Sequence, residues 1–534
     1  MSLEALSFDE YKPYITEELI ERGHARRMGH LQDYFAIIQR QKLYNNFNIY
    51  CELNEKVNKV QLSHAFREMF LQYPALIEYI VPKFYPKHEA YYRSEEYLSK
   101  PCPIHDYIRV LNEVNINDII MNEQDEYKSI TTKISDIFVK NDYKFSNEIS
   151  EMVSTIKIAI CDPKKPNWRI ICLPSKTSST EWKDFILVSN HFDSDGTSAV
   201  NFFEDLTNIL SKQANVENDT IVIGNDINII NYSKDYKLIS KLPIPITERI
   251  SYTPTLSSIP KFIVGNICKT KLQYTSDGGD TPAEFVSEDP LTYDYLINFS
   301  SEEVAKMKKT IKNCLYNSVT LTPFIQACFF VAMYKYNKIL NLNNWWQWGV
   351  DCALATNARR LLPDDPETRD LYRYGSNVGG THYFNLISQF NINEFEYDKF
   401  FKLVDYYHKN YQNSYRNGDE LVGFGVLFSD LIINNTNMDK TIKDDYTNHK
   451  RGGLLFSNVG YRNEDLTKKV HVNNIIFSQS PGCMKFTFGL NLISTDKCGM
   501  NILMNGVRGS VKSRENFEDF CRFFRKTVEN FAKL

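Results

Sequence analysis

Residues 185–200 read FILVSNHFDSDGTSAV, an apolar run that stops on a histidine and restarts as a helix. Phe185 to Val188 form a short continuous apolar stretch, the pattern of a strand buried on both faces. Beyond it Ala199, Phe202, Phe203, Leu206, Ile209 and Leu210 recur at helical spacing. His191 therefore falls on the turn between a buried strand and a buried helix, where a rigid scaffold holds a side chain at a sheet edge. An imidazole titrates near neutrality, so His191 is a candidate base for taking a proton from an alcohol or thiol. Asp195 supplies a short anion that either holds the turn together or pairs with a distant arginine, and Gly196 lets the chain bend into the helix without a Cβ clash.

The same turn has other readings. A lone strand-end histidine is more often a hydrogen-bonded structural residue than a catalytic one. Asp193, Asp195 and Glu204 occupy positions 1, 3 and 12 of an EF-hand-like window, but Ser198 stands where the loop needs glycine, and the window would run into a helix. Zinc has no second histidine or cysteine at ligand spacing nearby, so no metal site is expected.

Working outward, Phe47–Leu53 has strand character and feeds an amphipathic helix carrying Leu62, Ala65, Phe66, Met69 and Phe70. Asn167–Leu173 and Trp182–Ser189 are two more strands, set to pair across a turn-rich link. Pro74 opens a polar region rich in Tyr, Lys and Asn that runs to about residue 155, and prolines at 243, 245, 254, 260 and 282 mark a second polar stretch. The second half restarts with a strand at Tyr293–Phe299, a helix start at Ser300–Glu303, a buried helix opening at Thr322-Pro323, and strands at 347–356, 383–391, 453–457, 472–478, 484–493 and 499–508. The predicted division is 1–45 (amphipathic helical segment), 46–215 (first α/β half), 216–290 (crossover), 291–512 (second α/β half) and 513–534 (terminal amphipathic helix), with a ligand cleft between the halves.

A chain of 534 residues has ample material for two large units. A formal charge of −4, from 62 basic and 66 acidic residues, offers no bulk attraction to a phosphate backbone, so nucleic acid is not an expected partner. The 11 cysteines lack Cys-x-x-Cys pairing and sit in apolar runs, as buried thiols do in a reducing compartment. The acidic, polar start MSLEALSFDEYK does not have the form of a signal peptide, and the longest apolar helical stretch, Phe324–Met333, is well short of the ~20 residues a membrane span needs.

The string Asn190-His191-Phe192-Asp193-Ser194-Asp195-Gly196 resembles the His-x-x-x-Asp-Gly signature of CoA-dependent acyltransferases related to chloramphenicol acetyltransferase. Together with RGHARRMGHL (22–31), HEAYYRSEEYLSKP (88–101), NWRIICLP (167–174), TLTPFIQACF (320–329), NARRLLP (357–363), YGSNVGG (374–380) and IFSQSPG (476–482), it makes nearly the whole chain similar to the fungal alcohol acetyltransferases. The resemblance implies an α/β (α+β) fold of two chloramphenicol-acetyltransferase-like subdomains, each a mixed sheet with flanking helices, and an active-site tunnel between them. It implies direct acetyl transfer from acetyl-CoA, as co-substrate rather than bound cofactor, to small or medium-chain alcohols. His191 would be the base and Asp195 a structural anchor paired with Arg359, with Arg360 the competing cation. Asn377, Ser457, Asn458 and Ser478, at glycine-flanked strand ends, are candidates for substrate, CoA or oxyanion contacts. The plant relatives' late Asp-Phe-Gly-Trp-Gly motif is replaced by Phe486-Thr487-Phe488-Gly489-Leu490, so roles tied to its aspartate and tryptophan do not transfer. Rival readings are an amine or sterol acetyltransferase, and a non-catalytic ligand-binding version of the fold.

Both ends carry amphipathic stripes with cations alongside: Met28, Leu31, Phe35 and Ile38 near the start, and Phe517, Phe520, Cys521, Phe524, Val528 and Phe531 near the end. Such helices suit either a membrane interface or the domain's own core. The resemblance favours the membrane, at the cytosolic face of the endoplasmic reticulum and on lipid droplets.

Overall fold

The strand Glu181–Ser189 is buried from Asp184 onward, which requires cover on both faces and a neighbour on each edge. It lies inside a four-stranded antiparallel sheet of order Val472–Gln479, Phe47–Asn58, Glu181–Ser189, Trp168–Cys172. The expected pairing of the Trp168 and Phe185 strands is present, with Cys172 opposite Phe185 and Trp168 opposite Ser189. The computed structural model describes residues 14–82, 88–101, 106–178, 180–213, 227–250, 252, 258–274, 290–336, 347–447, 452–480 and 486–533.

Helix Gly196–Gln213 packs its apolar stripe back toward this sheet and against helix Lys59–Gln72. Phe202 is the pivot, its ring 5.0 Å from Trp168 and 5.9 Å from Phe66. A second, mixed sheet of six strands has the order Val378–Leu386, Gly349–Asn357, Leu454–Arg462, Phe488–Thr495, Gly499–Val507, Thr292–Phe299. Its Gly349, Leu454 and Phe488 strands run parallel, and the rest are antiparallel. Helices Leu321–Tyr336, Tyr397–Asn417 and Arg514–Ala532 cover one face of it and form a separate apolar core.

Strand Val472–Gln479, which lies in sequence within 291–512, joins the sheet of the first half and also lies against the Phe488 and Gly499 strands. Asn501 Nδ2 donates to Ile475 O at 2.7 Å and Gln479 Nε2 to Asn491 Oδ1 at 2.8 Å, so polar side chains stitch the two sheets at this crossing.

Several expectations shift. The polar region after Pro74 holds strands Glu78–Val81 and Tyr107–Val110, paired with each other and with Ala25–Arg27 in a small sheet, and helices Lys128–Lys140 and Asn147–Val153. The strand expected at 383–391 is Val378–Leu386, followed by a 3-10 turn. Its glycines hide it from propensity, yet a Cβ on Gly379 would come within 2.8 Å of Glu420 Cγ, so close packing explains that residue. Part of the 216–290 crossover is built into the fold, with Asn228–Asn231 pairing with Glu113–Asn115 and Gln273 bridging Gly349. Residues 216–226, 251, 253–257 and 275–289 of that stretch, and 1–13 of the first segment, lie outside the described residues.

The terminal stripes are turned inward. Leu31 and Ile38 of helix His30–Arg40 are buried, as are Phe517, Phe520, Phe524 and Phe531 of helix Arg514–Ala532. Phe531 stacks on Phe400 at 3.7 Å, and Phe520 and Phe524 meet Phe329 at 5.6 and 5.9 Å. The apolar faces expected to meet a membrane are occupied by the core. Among the described residues no helix is long and apolar enough to cross a bilayer.

Candidate active site

The turn after Ser189 is shaped by Asn190, whose side-chain oxygen accepts from Phe192 N at 3.2 Å while its amide donates to Asn167 O at 3.2 Å. Asp195 then caps helix Gly196–Gln213, its Oδ1 accepting from Ser198 N at 2.8 Å. The window from Asp193 to Glu204 is consequently helical over most of its length and not a cation loop.

The other carboxylate oxygen of Asp195 is turned to the second half. Arg359 Nη1 donates to Oδ2 at 2.8 Å and the Asn377 backbone N–H at 2.8 Å. Arg359 spends its remaining donors on Tyr372 O (2.6 Å), Ser198 Oγ (2.8 Å) and Gly375 O (3.2 Å). Burial pushes the Asp195 carboxyl up, but Arg359 and the N–H groups of Ser198 and Asn377 outweigh it and hold it below the usual range. Arg360 is engaged elsewhere, paired with Glu420 and lying over the Tyr415 ring at 4.2 Å. Arg359 is therefore the pairing cation. Gly196 serves closeness more than bending: a Cβ there would stand 2.9 Å from Val459 Cγ2, across the junction of the halves.

His191 remains partly exposed, with its ring set among aromatics. Phe35 lies face to face with it at 4.3 Å and 11°, while Phe47 (5.1 Å) and Tyr44 (6.0 Å) are tilted by about 50°. Burial pulls its pKa below the ordinary 6.5, against the opposing pull of Asp195 and the backbone oxygens of His191 and Ser194. Its Nδ1 is buried. Two small cavities lie behind the turn, on the Asp195 side. One touches Asp193, Ser194 and Ser198, the other touches Glu78, Ser376 and Asn377, and His191 lines neither.

The four candidate contact residues separate. Asn377 belongs to the Asp195 anchor, its side-chain amide donating to Tyr374 O at 3.1 Å. Asn458 reaches Thr322 Oγ1 at 2.9 Å, toward the helical cover. Ser457 is partly exposed and opposite Asn491, whose side chain faces the first sheet, so Ser457 shares that inner face. Ser478 is fully buried 3.2 Å from Ser150 Oγ, next to Asp294, a carboxyl pushed up to about 6 by burial. Sequence reading missed Ser198 as a partner of Asp195 and Arg359, and missed the apposition of Phe35, for which no local signal exists.

Residues 27–528 match the family model for alcohol acetyltransferases. The chain belongs to the alcohol acetyltransferase family. This acetyltransferase is 46% identical over 534 residues to alcohol O-acetyltransferase 2 of Saccharomyces cerevisiae, covering 98% of this chain and 99% of that one. It is 35% identical to alcohol O-acetyltransferase 1 of the same yeast over 511 residues, 95% and 96% of the two chains. Its fold is shared with a trichothecene 15-O-acetyltransferase from Fusarium sporotrichioides, at TM-score 0.62 and 10% identity over 95% of each chain. The condensation domain of the polyketide synthase MokA superposes at TM-score 0.55 and 9% identity, covering 95% of this acetyltransferase and 97% of that domain.

Proposed function

We propose that this acetyltransferase makes acetate esters by direct transfer of the acetyl group from acetyl-CoA to an alcohol, with His191 as general base. The observation that carries the base assignment is a partly exposed imidazole, its pKa lowered by desolvation, on a turn that Asp195 and Arg359 lock. The imidazole takes the hydroxyl proton as the alcohol oxygen attacks the thioester carbonyl. The tetrahedral intermediate then collapses, the C–S bond breaks, and the proton passes to the departing CoA thiolate. Ser457, on the inner face of the second sheet, is the remaining candidate for facing the oxyanion. The test is release of free thiol from acetyl-CoA across a panel of small and medium-chain alcohols, amines and sterols, for the wild type and His191→Ala. Ester formation confined to alcohols and abolished in the variant supports the reading; equal turnover by the variant removes His191 from it.

A location at the cytosolic face of the endoplasmic reticulum and on lipid droplets is supported by family resemblance, and the buried stripes of the terminal helices do not add to it. Flotation of the tagged full-length chain with isolated droplets tests it.

A further inference from the structure

A catalytic histidine is usually oriented by a hydrogen bond from the ring nitrogen that does not react. In this chain the nearest carboxylate, Asp195, has turned to Arg359, Ser198 and Asn377. The polar groups set against the ring on its own turn are then the backbone oxygens of His191 and Ser194, and Nδ1 is buried. The ring nonetheless has a flat neighbour: Phe35 at 4.3 Å and 11°, with Phe47 and Tyr44 against its edges. A displaced or tumbling imidazole would forfeit the alignment that general base catalysis needs, and a misplacement of ~1 Å can cost about a hundredfold.

Phe35 is itself held firmly. Its helix, His30–Arg40, ends on Arg40, which donates twice to Asp439 at 2.6 Å and once to Asp106 at 2.7 Å while lying over Tyr92 at 4.1 Å. Gln41 adds hydrogen bonds to Asp439 (2.8 Å) and Tyr92 O (2.7 Å). The helix is thus anchored one and a half turns past Phe35 to elements of both halves.

We propose that Phe35 is the positioning residue for His191, its ring fixing the imidazole plane by face-to-face stacking. This rests on the reading of His191 as base. It gives the buried face of the N-terminal helix a part in the reaction: the stripe residues around Phe35 pack the core, and Phe35 faces the base. The titratable groups set against the ring are Asp195 on its own turn and the Tyr44 phenol from the segment after the helix.

The experiment compares full-length Phe35→Leu, Phe35→Tyr and Phe35→Trp with wild type and His191→Ala. Phe35→Leu keeps an apolar side chain and removes the flat face. It is expected to lower kcat about 10- to 100-fold with KM for acetyl-CoA at the wild-type value, and to move the acid limb of kcat/KM upward as water reaches the ring. Tyr and Trp restore the face and are expected to restore both kcat and the limb. If Phe35→Leu does not fold, Phe35→Met, which fills the space with a flexible chain, takes its place and is read in the same way. Unchanged kcat and acid limb in the Leu or Met variant overturns the proposal, as does a loss that neither Tyr nor Trp recovers. Full activity of His191→Ala overturns the base assignment instead, so the two failures are distinct.

Discussion

Arg359 closes on Asp195, 164 residues earlier in the chain, through an Nη1–Oδ2 hydrogen bond of 2.8 Å between side chains that are only 13% and 5% exposed. That pair fastens the His191 turn of one half to the 3-10 turn that follows the Gly349–Asn357 strand of the other. Asp195→Asn leaves the guanidinium buried without its counter-charge, and breaking such a pair costs about 3–5 kcal/mol. A lower melting temperature is expected alongside reduced turnover. A variant that melts with the wild type would show that the pair contributes nothing to the fold.

Arg359→Lys separates charge from shape. Lysine retains the cation but cannot serve Asp195, Tyr372 O and Gly375 O together, since it lacks the planar fork. A stability between those of the wild type and Arg359→Ala is expected in urea titrations, and a midpoint equal to that of the wild type would show charge alone suffices.

The pH profile should be displaced. Because burial lowers the His191 pKa, the folded chain keeps this imidazole neutral as pH falls past 6.5, where an exposed imidazole would already be half protonated. The acid limb of kcat/KM is expected below 6.5. The same shift sets the sign for stability: the unfolded chain binds this proton first, so the contribution of His191 is present above 6.5 and declines as pH drops below it. An acid limb above 6.5 would place the imidazole in water.

Gly196→Ala drives a Cβ to within 2.9 Å of Val459 Cγ2, and β-branched valine has little rotamer freedom to yield. A loss of about 1–3 kcal/mol, the usual scale of overpacking, is expected. Val459→Ala in the same chain should recover most of it. If the double variant is no more stable than the single, the defect lies in the backbone of the turn and not across the junction.

Removal of 513–534 takes Phe517, Phe520, Phe524 and Phe531 from the core. At about 1.5–3 kcal/mol per buried side chain, that approaches the ~5–15 kcal/mol that holds a domain together. The truncated chain is expected to be insoluble or unfolded by circular dichroism. A folded, soluble product would mean that the stripe is dispensable to the core.

The elements around His191 were legible because strand, turn and helix are contiguous and each has its own period, and Arg359 was legible because a motif carried it. Glu78–Val81 and Tyr107–Val110 escaped notice: four-residue strands buried in full show no alternation to read. The stripe of the last helix announced a buried face but not its cover, since periodicity reports that a surface is hidden and not by what. The same holds for Phe35, whose helical spacing fits a core residue equally well and whose contact with His191 exists only once distant segments have met.

The strand Val472–Gln479 pairs with Phe47–Asn58, so Gln479 faces Phe47 from the far end of the chain. A ribosome must finish almost the entire message before the sheet behind His191 gains its outer strand. Until then the Phe47–Asn58 edge stands open to other chains, and loop closure over that separation is slow. During synthesis this enzyme therefore depends on whatever shields that edge, and a gene split at the crossover would yield a first fragment that lacks the missing strand's hydrogen bonds.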